Sequence, residues 1–121
     1  MTVTLASKTT FEGSKGFTGG TNAEVTILSQ ANIGSIYQME GEISLHNLAS
    51  GDAYEVREYK EIQAALGTKQ FDVQTYASKQ TSPVTRFHSK TLRYDYAVTM
   101  KKTAGLNRYV FYWFLRNDYA K

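Results

Sequence analysis

Cysteine is absent from this chain of 121 residues, and proline occurs once, at Pro83. Without thiols it can form no disulfide, no thiolate metal site and no cysteine nucleophile. No stretch approaches the roughly 20 apolar residues of a membrane helix. The opening MTVTLASKTTFEG has no basic region leading into an apolar run, so it does not read as a secretory signal and the chain is expected to be soluble. Acidic charge is scarce at one end: residues 79–121 carry nine Lys/Arg and two Asp/Glu, whereas residues 1–78 carry five and nine. The formal net charge of +3 conceals that polarity. The basic residues are spaced singly and accompany no recognition motif, so the expectation is opposite charges pairing across strands, with no specific nucleic acid and no membrane as partner.

Reaction chemistry is equally sparse. His46 and His88 are the only histidines, and neither has a second ligand at i+2 or i+4. Glu55, Glu58 and Glu61 could suggest a carboxylate pair, but on a strand Glu58 faces away from the other two, and solvated strand edges account for them. The GSKG stretch lacks the Gly-Lys-Ser/Thr ending of a phosphate loop, and no Gly-x-Ser-x-Gly elbow is present. The sequence therefore predicts no catalytic residue, no metal ligand and no cofactor site. The chain reads as a non-enzyme.

What is present is alternation. In SIYQMEGEISL, Tyr37, Met39, Gly41, Ile43 and Leu45 fall on one face and Gln38, Glu40, Glu42 and Ser44 on the other. TLRYDYAVTM repeats the pattern with Leu92, Tyr94, Tyr96, Val98 and Met100. AEVTILS, AYEVREYKEI, FDVQTYAS and VTRFH add further β-branched and aromatic runs, punctuated by turn signals such as Gly51-Asp52, Pro83 and Gly105. Only IQAAL could form a helical turn. The expected fold is all-β, a single-domain antiparallel β-sandwich of about seven to eight strands over residues 24–121, jelly-roll-like, with an immunoglobulin-like topology as the alternative. Residues 1–23, where GSKGFTGGTN places four glycines in ten positions, read as a flexible arm.

The stretch YVFYWFL, Tyr109 to Leu115, is seven large apolar or aromatic residues in a row. As a strand it is apolar on both faces, and a two-layer sandwich covers only one of them with core. Phe111, Trp113 and Leu115 are assigned to the core; Val110, Tyr112 and Phe114 are assigned to an interface with another subunit. Nine tyrosines and one tryptophan also raise a glycan as a possible partner, since exposed aromatic faces stack on pyranose rings. With Tyr94, Tyr96 and Trp113 inside, that platform would fall to Tyr54, Tyr59 or Tyr76.

Two phrases carry a resemblance: NLASGDAYEVREYKEI, with Gly51-Asp52 followed by Val56, Arg57 and Tyr59, and AVTMKKTAGLNRYVFYWFL, with Thr103-Ala104-Gly105, Arg108 and Trp113. Over about residues 33–117 the chain resembles a family of small β-sandwich virion structural proteins of tailed bacteriophages and related viruses. The resemblance implies a capsid-decorating (cement) or minor structural subunit in the virion, assembled in the host cytoplasm. Its partners would be copies of itself or a major capsid protein. The alternatives are a carbohydrate- or receptor-binding module and a cellular surface or filament subunit with the same sandwich.

Overall fold

The structure, a computed structural model, describes residues 5–119. Eight strands follow in order: β1 (Leu5–Lys15), β2 (Glu24–Gln30), β3 (Tyr37–Ser44), β4 (Ala53–Lys60), β5 (Lys69–Ala77), β6 (Val84–Leu92), β7 (Tyr96–Ala104) and β8 (Val110–Tyr119). They form two four-stranded antiparallel sheets, ordered β1-β8-β3-β6 and β2-β7-β4-β5. Successive strands alternate between the sheets, apart from the β4–β5 hairpin, as in a jelly roll. The expected jelly-roll sandwich is observed, and the immunoglobulin-like alternative is not.

The core lies between the sheets and is built by alternation. Tyr37, Met39, Ile43 and Leu45 point inward from the β3 region, Tyr96, Val98 and Met100 from β7, Tyr54 and Val56 from β4, and Phe17 closes the layer from the loop after β1. Gly41 belongs to the inward set because Phe114 of β8 stands opposite it in register. A Cβ at Gly41 would collide with the Trp113 carbonyl oxygen and the Phe114 ring. The aromatic side chain fills the space that glycine leaves open.

Leu5–Lys15, read from sequence as part of a flexible arm, forms β1 and pairs with β8 from Leu5↔Tyr119 to Lys15↔Val110. Met1–Thr4 of that arm lie outside the described residues. The glycines that suggested flexibility are places of close approach: a Cβ at Gly13 would lie 3.0 Å from the Tyr112 hydroxyl, and one at Gly16 would lie 3.1 Å from the Tyr109 ring. Small residues let the rings of Tyr112 in β8 and of Tyr109 just before it lie against β1 and the residue that follows it.

The two phrases around Gly51-Asp52 and Gly105 meet in space. Asp52 is buried and accepts hydrogen bonds from the Ala49 N–H (2.9 Å), the Leu106 N–H (3.0 Å) and the Arg108 Nε (2.7 Å). Beside it, the buried Tyr54 hydroxyl donates to the Leu106 carbonyl at 2.7 Å and accepts from the Arg108 N–H at 2.8 Å. Gly51 and Gly105 both have φ of +88°, the left-handed region that glycine enters without penalty. This carboxylate and phenol clamp the 45–52 and 105–109 loops together. Tyr54→Phe removes one donor and one acceptor at a site closed to water, and should lower unfolding free energy by about 1 to 3 kcal/mol in urea titration.

Candidate functional site

β8 lies second from the edge of its sheet, so its ladder sets which of its two apolar faces meets the core. The inward residues are Val110 and Phe114, both fully buried, with Tyr112 half-buried against them. Phe114 packs against Phe87 with centroids 5.3 Å apart and against Tyr112 at 6.3 Å. The assignment of Val110, Tyr112 and Phe114 to an interface is therefore corrected: they line the sandwich interior. Trp113 and Phe111, expected in the core, face outward, with 39% and 45% of their surface accessible, and Tyr109 is 61% accessible just before the strand. Both faces are apolar, so residue type alone does not orient the strand. The register that places Gly41 beneath Phe114 does.

The outward face of the β1-β8-β3-β6 sheet can be read row by row from its pairing. One row runs Ser14, Phe111, Ser44, Val84; the next Glu12, Trp113, Glu42, Arg86; the next begins Thr10, Leu115, Glu40. A central column of Phe111, Trp113 and Leu115 is thus flanked by hydroxyls and carboxylates. His46 extends it, its ring stacked on Phe111 at 5.4 Å and 19°, with Nδ1 2.7 Å from the Ser44 hydroxyl. Phe111 and Trp113 remain exposed among the described residues, and Leu115 is half-buried.

The remaining sequence candidates are scattered. His88 is exposed on β6 and its carbonyl accepts from the Lys90 ammonium at 2.9 Å. Glu58, expected at a solvated edge, is buried: its Oε1 accepts from the Tyr96 hydroxyl at 2.6 Å and sits 3.1 Å from the Lys90 ammonium. Burial, followed by the Glu58 charge, pushes the Tyr96 phenol far up. Tyr54, expected as an exposed platform residue, is buried in the clamp. Among the described residues, no three His, Asp or Glu side chains gather as a metal site would require. A cleft of about 210 Å³ opens where β5 and β6 flank the sandwich, with Glu58, Asp72, Arg86 and Phe87 among its lining residues.

The outer face of the other sheet differs in kind. Glu24 accepts hydrogen bonds from Thr99 and from Tyr59 (2.8 Å), Arg57 sits 3.8 Å from Glu24 and 3.4 Å from Glu55, and Lys101 sits 3.4 Å from Glu55. The Thr99 hydrogen bond, set against burial and joined by Tyr59, Arg57 and Lys101, holds the Glu24 carboxyl below its usual range. Glu24, Glu55, Arg57 and Lys101 of that face are thus paired with one another, whereas the carboxylates beside the aromatic column of the opposite face form no ion pair among the described residues.

No protein-family model matches this sequence, and no curated protein matches it. Among solved structures, the chain is similar in fold to a subunit of Bacillus endospore appendages, described as a novel family of disulfide-linked pili, with a TM-score of 0.61 and 14% identity over 98% of this chain and 91% of that one. It is also similar to a chain of the infectious bursal disease virus Gx strain, with a TM-score of 0.51 and 11% identity over 94% of this chain. A chain of that virus's VP2 subviral particle matches with a TM-score of 0.48 and 10% identity over 93% of this chain. This protein spans about a third of each viral chain, 33% in both cases. The likenesses to the pilus subunit and to the Gx-strain chain show the fold alone, a jelly-roll β-sandwich.

Proposed function

We propose that the chain is a non-catalytic structural subunit whose copies associate into an extracellular filament. The observation that carries this reading is the exposed aromatic pair Phe111 and Trp113, continued by the half-buried Leu115, at the centre of an otherwise complete sheet face. A column of large apolar side chains facing water marks a contact surface. The end-to-end fold likeness to a pilus subunit supports a filament as the form of the assembly. The means of joining differs, because a chain without cysteine cannot be disulfide-linked. Contacts between its copies are non-covalent and gain strength from repetition along the lattice.

Sedimentation velocity across a concentration series, with negative-stain microscopy of the same samples, tests the reading. The expected result is a concentration-dependent shift to large species that appear as filaments. A single monomer boundary at every concentration would rule it out. A second reading is a virion structural subunit, supported by the fold shared with the Gx-strain chain. There the chain stays monomeric alone and binds a capsid protein.

A further inference from the structure

Three carboxylates border the aromatic column, and none has an ion-pair or hydrogen-bond partner among the described residues. Glu12 and Glu42 stand on either side of Trp113 in the ladder, and Glu40 stands beside Leu115. Arg86 is opposite Glu42 in register yet forms no ion pair with it, and Lys8 lies two rows beyond Trp113 at the far side of the face. Glu40 and Glu42 share a face of one strand, which sets them about 7 Å apart.

The complementary pattern occurs at the opposite edge of the other sheet. Lys60 and Lys69 are direct cross-strand partners on β4 and β5, an arrangement of like charges that destabilises a sheet pair. Neither is in an ion pair among the described residues; Lys60 rests its ammonium over the Phe71 ring at 4.7 Å, and neighbouring Glu61 is engaged by the Gly67 N–H at 2.8 Å. Around this pair Ile62, Leu66, Phe71 and Val73 are exposed, large and apolar. One molecule therefore presents an acidic, aromatic surface on one sheet and, at the far edge of the other, Lys60 and Lys69 among exposed apolar residues, with Asp72 of β5 lining the cleft beside Glu58.

Resting on the reading of the chain as a self-associating subunit, we propose that the outer face of β8 and β3 in one copy docks on the β5 edge of the next copy. Glu40 and Glu42 receive Lys60 and Lys69, and Phe111 and Trp113 meet Phe71 and Val73. The occupant is a second copy because each surface carries the charge sign that the other lacks, beside exposed apolar side chains of its own. The two surfaces do not overlap, so each docked copy leaves one of each free. A heterologous contact of this kind propagates as a ring or an open filament rather than closing as a two-fold pair.

Two charge-reversed full-length chains test the pairing. Glu40→Lys with Glu42→Lys makes both surfaces basic; Lys60→Glu with Lys69→Glu makes both acidic. All four residues lie on the surface or its margin, and melting curves near the wild-type curve establish that each variant is folded. Each variant alone should need about tenfold or more protein to assemble, as like charges now face each other. An equimolar mixture should recover assembly, because basic and acidic surfaces alternate along it. If either folded variant assembles like the wild type, or if the mixture shows no recovery, the pairing is wrong while wild-type assembly keeps the subunit reading intact. A wild-type chain that stays monomeric overturns both. A monomeric wild type retained on a polysaccharide gel, with retention lost in Trp113→Ala, would assign the face to a glycan instead.

Discussion

Phe114→Ala is expected to lower the unfolding free energy by about 3 to 5 kcal/mol, the usual cost of emptying a buried aromatic site. Its ring is fully buried between Phe87, Tyr112 and Gly41, and glycine has no side chain with which to refill the space. Trp113→Ala, one residue away on the opposite face, should change stability by less than about 1 kcal/mol, since much of that ring already meets solvent. In sedimentation the order should reverse. Trp113→Ala loses assembly in a folded chain, whereas Phe114→Ala loses it only as far as it loses the fold. Denaturant titration beside sedimentation separates the two. Equal destabilisation by both would mean that the outward column is held inside the monomer after all.

Asp52→Ala is expected to cost about 3 kcal/mol, since it strips the partner from Arg108 and leaves the Ala49 and Leu106 N–H groups without an acceptor at a buried site. The same carboxyl gives the fold an acid limit. Burial by itself would raise the carboxyl, but the Ala49 N–H, the Arg108 guanidinium and the Leu106 N–H together hold it below its usual range. A group whose folded pKa is depressed adds stability that is fully present above its unfolded value, about 4, and is lost as the pH falls through the folded value. Melting temperature should therefore be flat from pH 7 to about 5 and decline below about 4, and the Asp52→Ala variant should decline less steeply. Identical acid slopes in the two chains would place the acid sensitivity elsewhere.

Much of the sandwich was legible because a half-buried strand writes its orientation into its alternation. Tyr37, Met39, Gly41, Ile43 and Leu45 all face the core as the period of two predicts, and so do Tyr96, Val98 and Met100. Gly51 and Gly105 fall where the turn residues placed them. The pattern fails where a strand carries the same chemistry on both faces. In YVFYWFL nothing in the residues distinguishes Phe114 from Trp113; the choice is made by Gly41, a partner on another strand whose register only the fold reveals. β1 was hidden for a related reason. Of its described side chains Phe11 packs against the core only in part, and the strand is held by its ladder to β8 and by glycines that give room to Tyr109 and Tyr112. Glu58 misled because a carboxylate in an alternating strand reads as solvent-facing unless Tyr96 and Lys90 are known to wait inside.

The pairing of β1 with β8 sets how this molecule carries load. Leu5 stands opposite Tyr119, so the two ends of the described chain lie at the same end of one antiparallel ladder. Tension applied between those ends would peel the strands apart one rung after another, each pair of hydrogen bonds failing alone, whereas tension along a ladder loads all its rungs at once. If copies of this chain form a fibre as proposed, it would be mechanically weak where force passes from Leu5 to Tyr119. It would be far tougher if force entered and left through the broad faces, where the whole sandwich resists together.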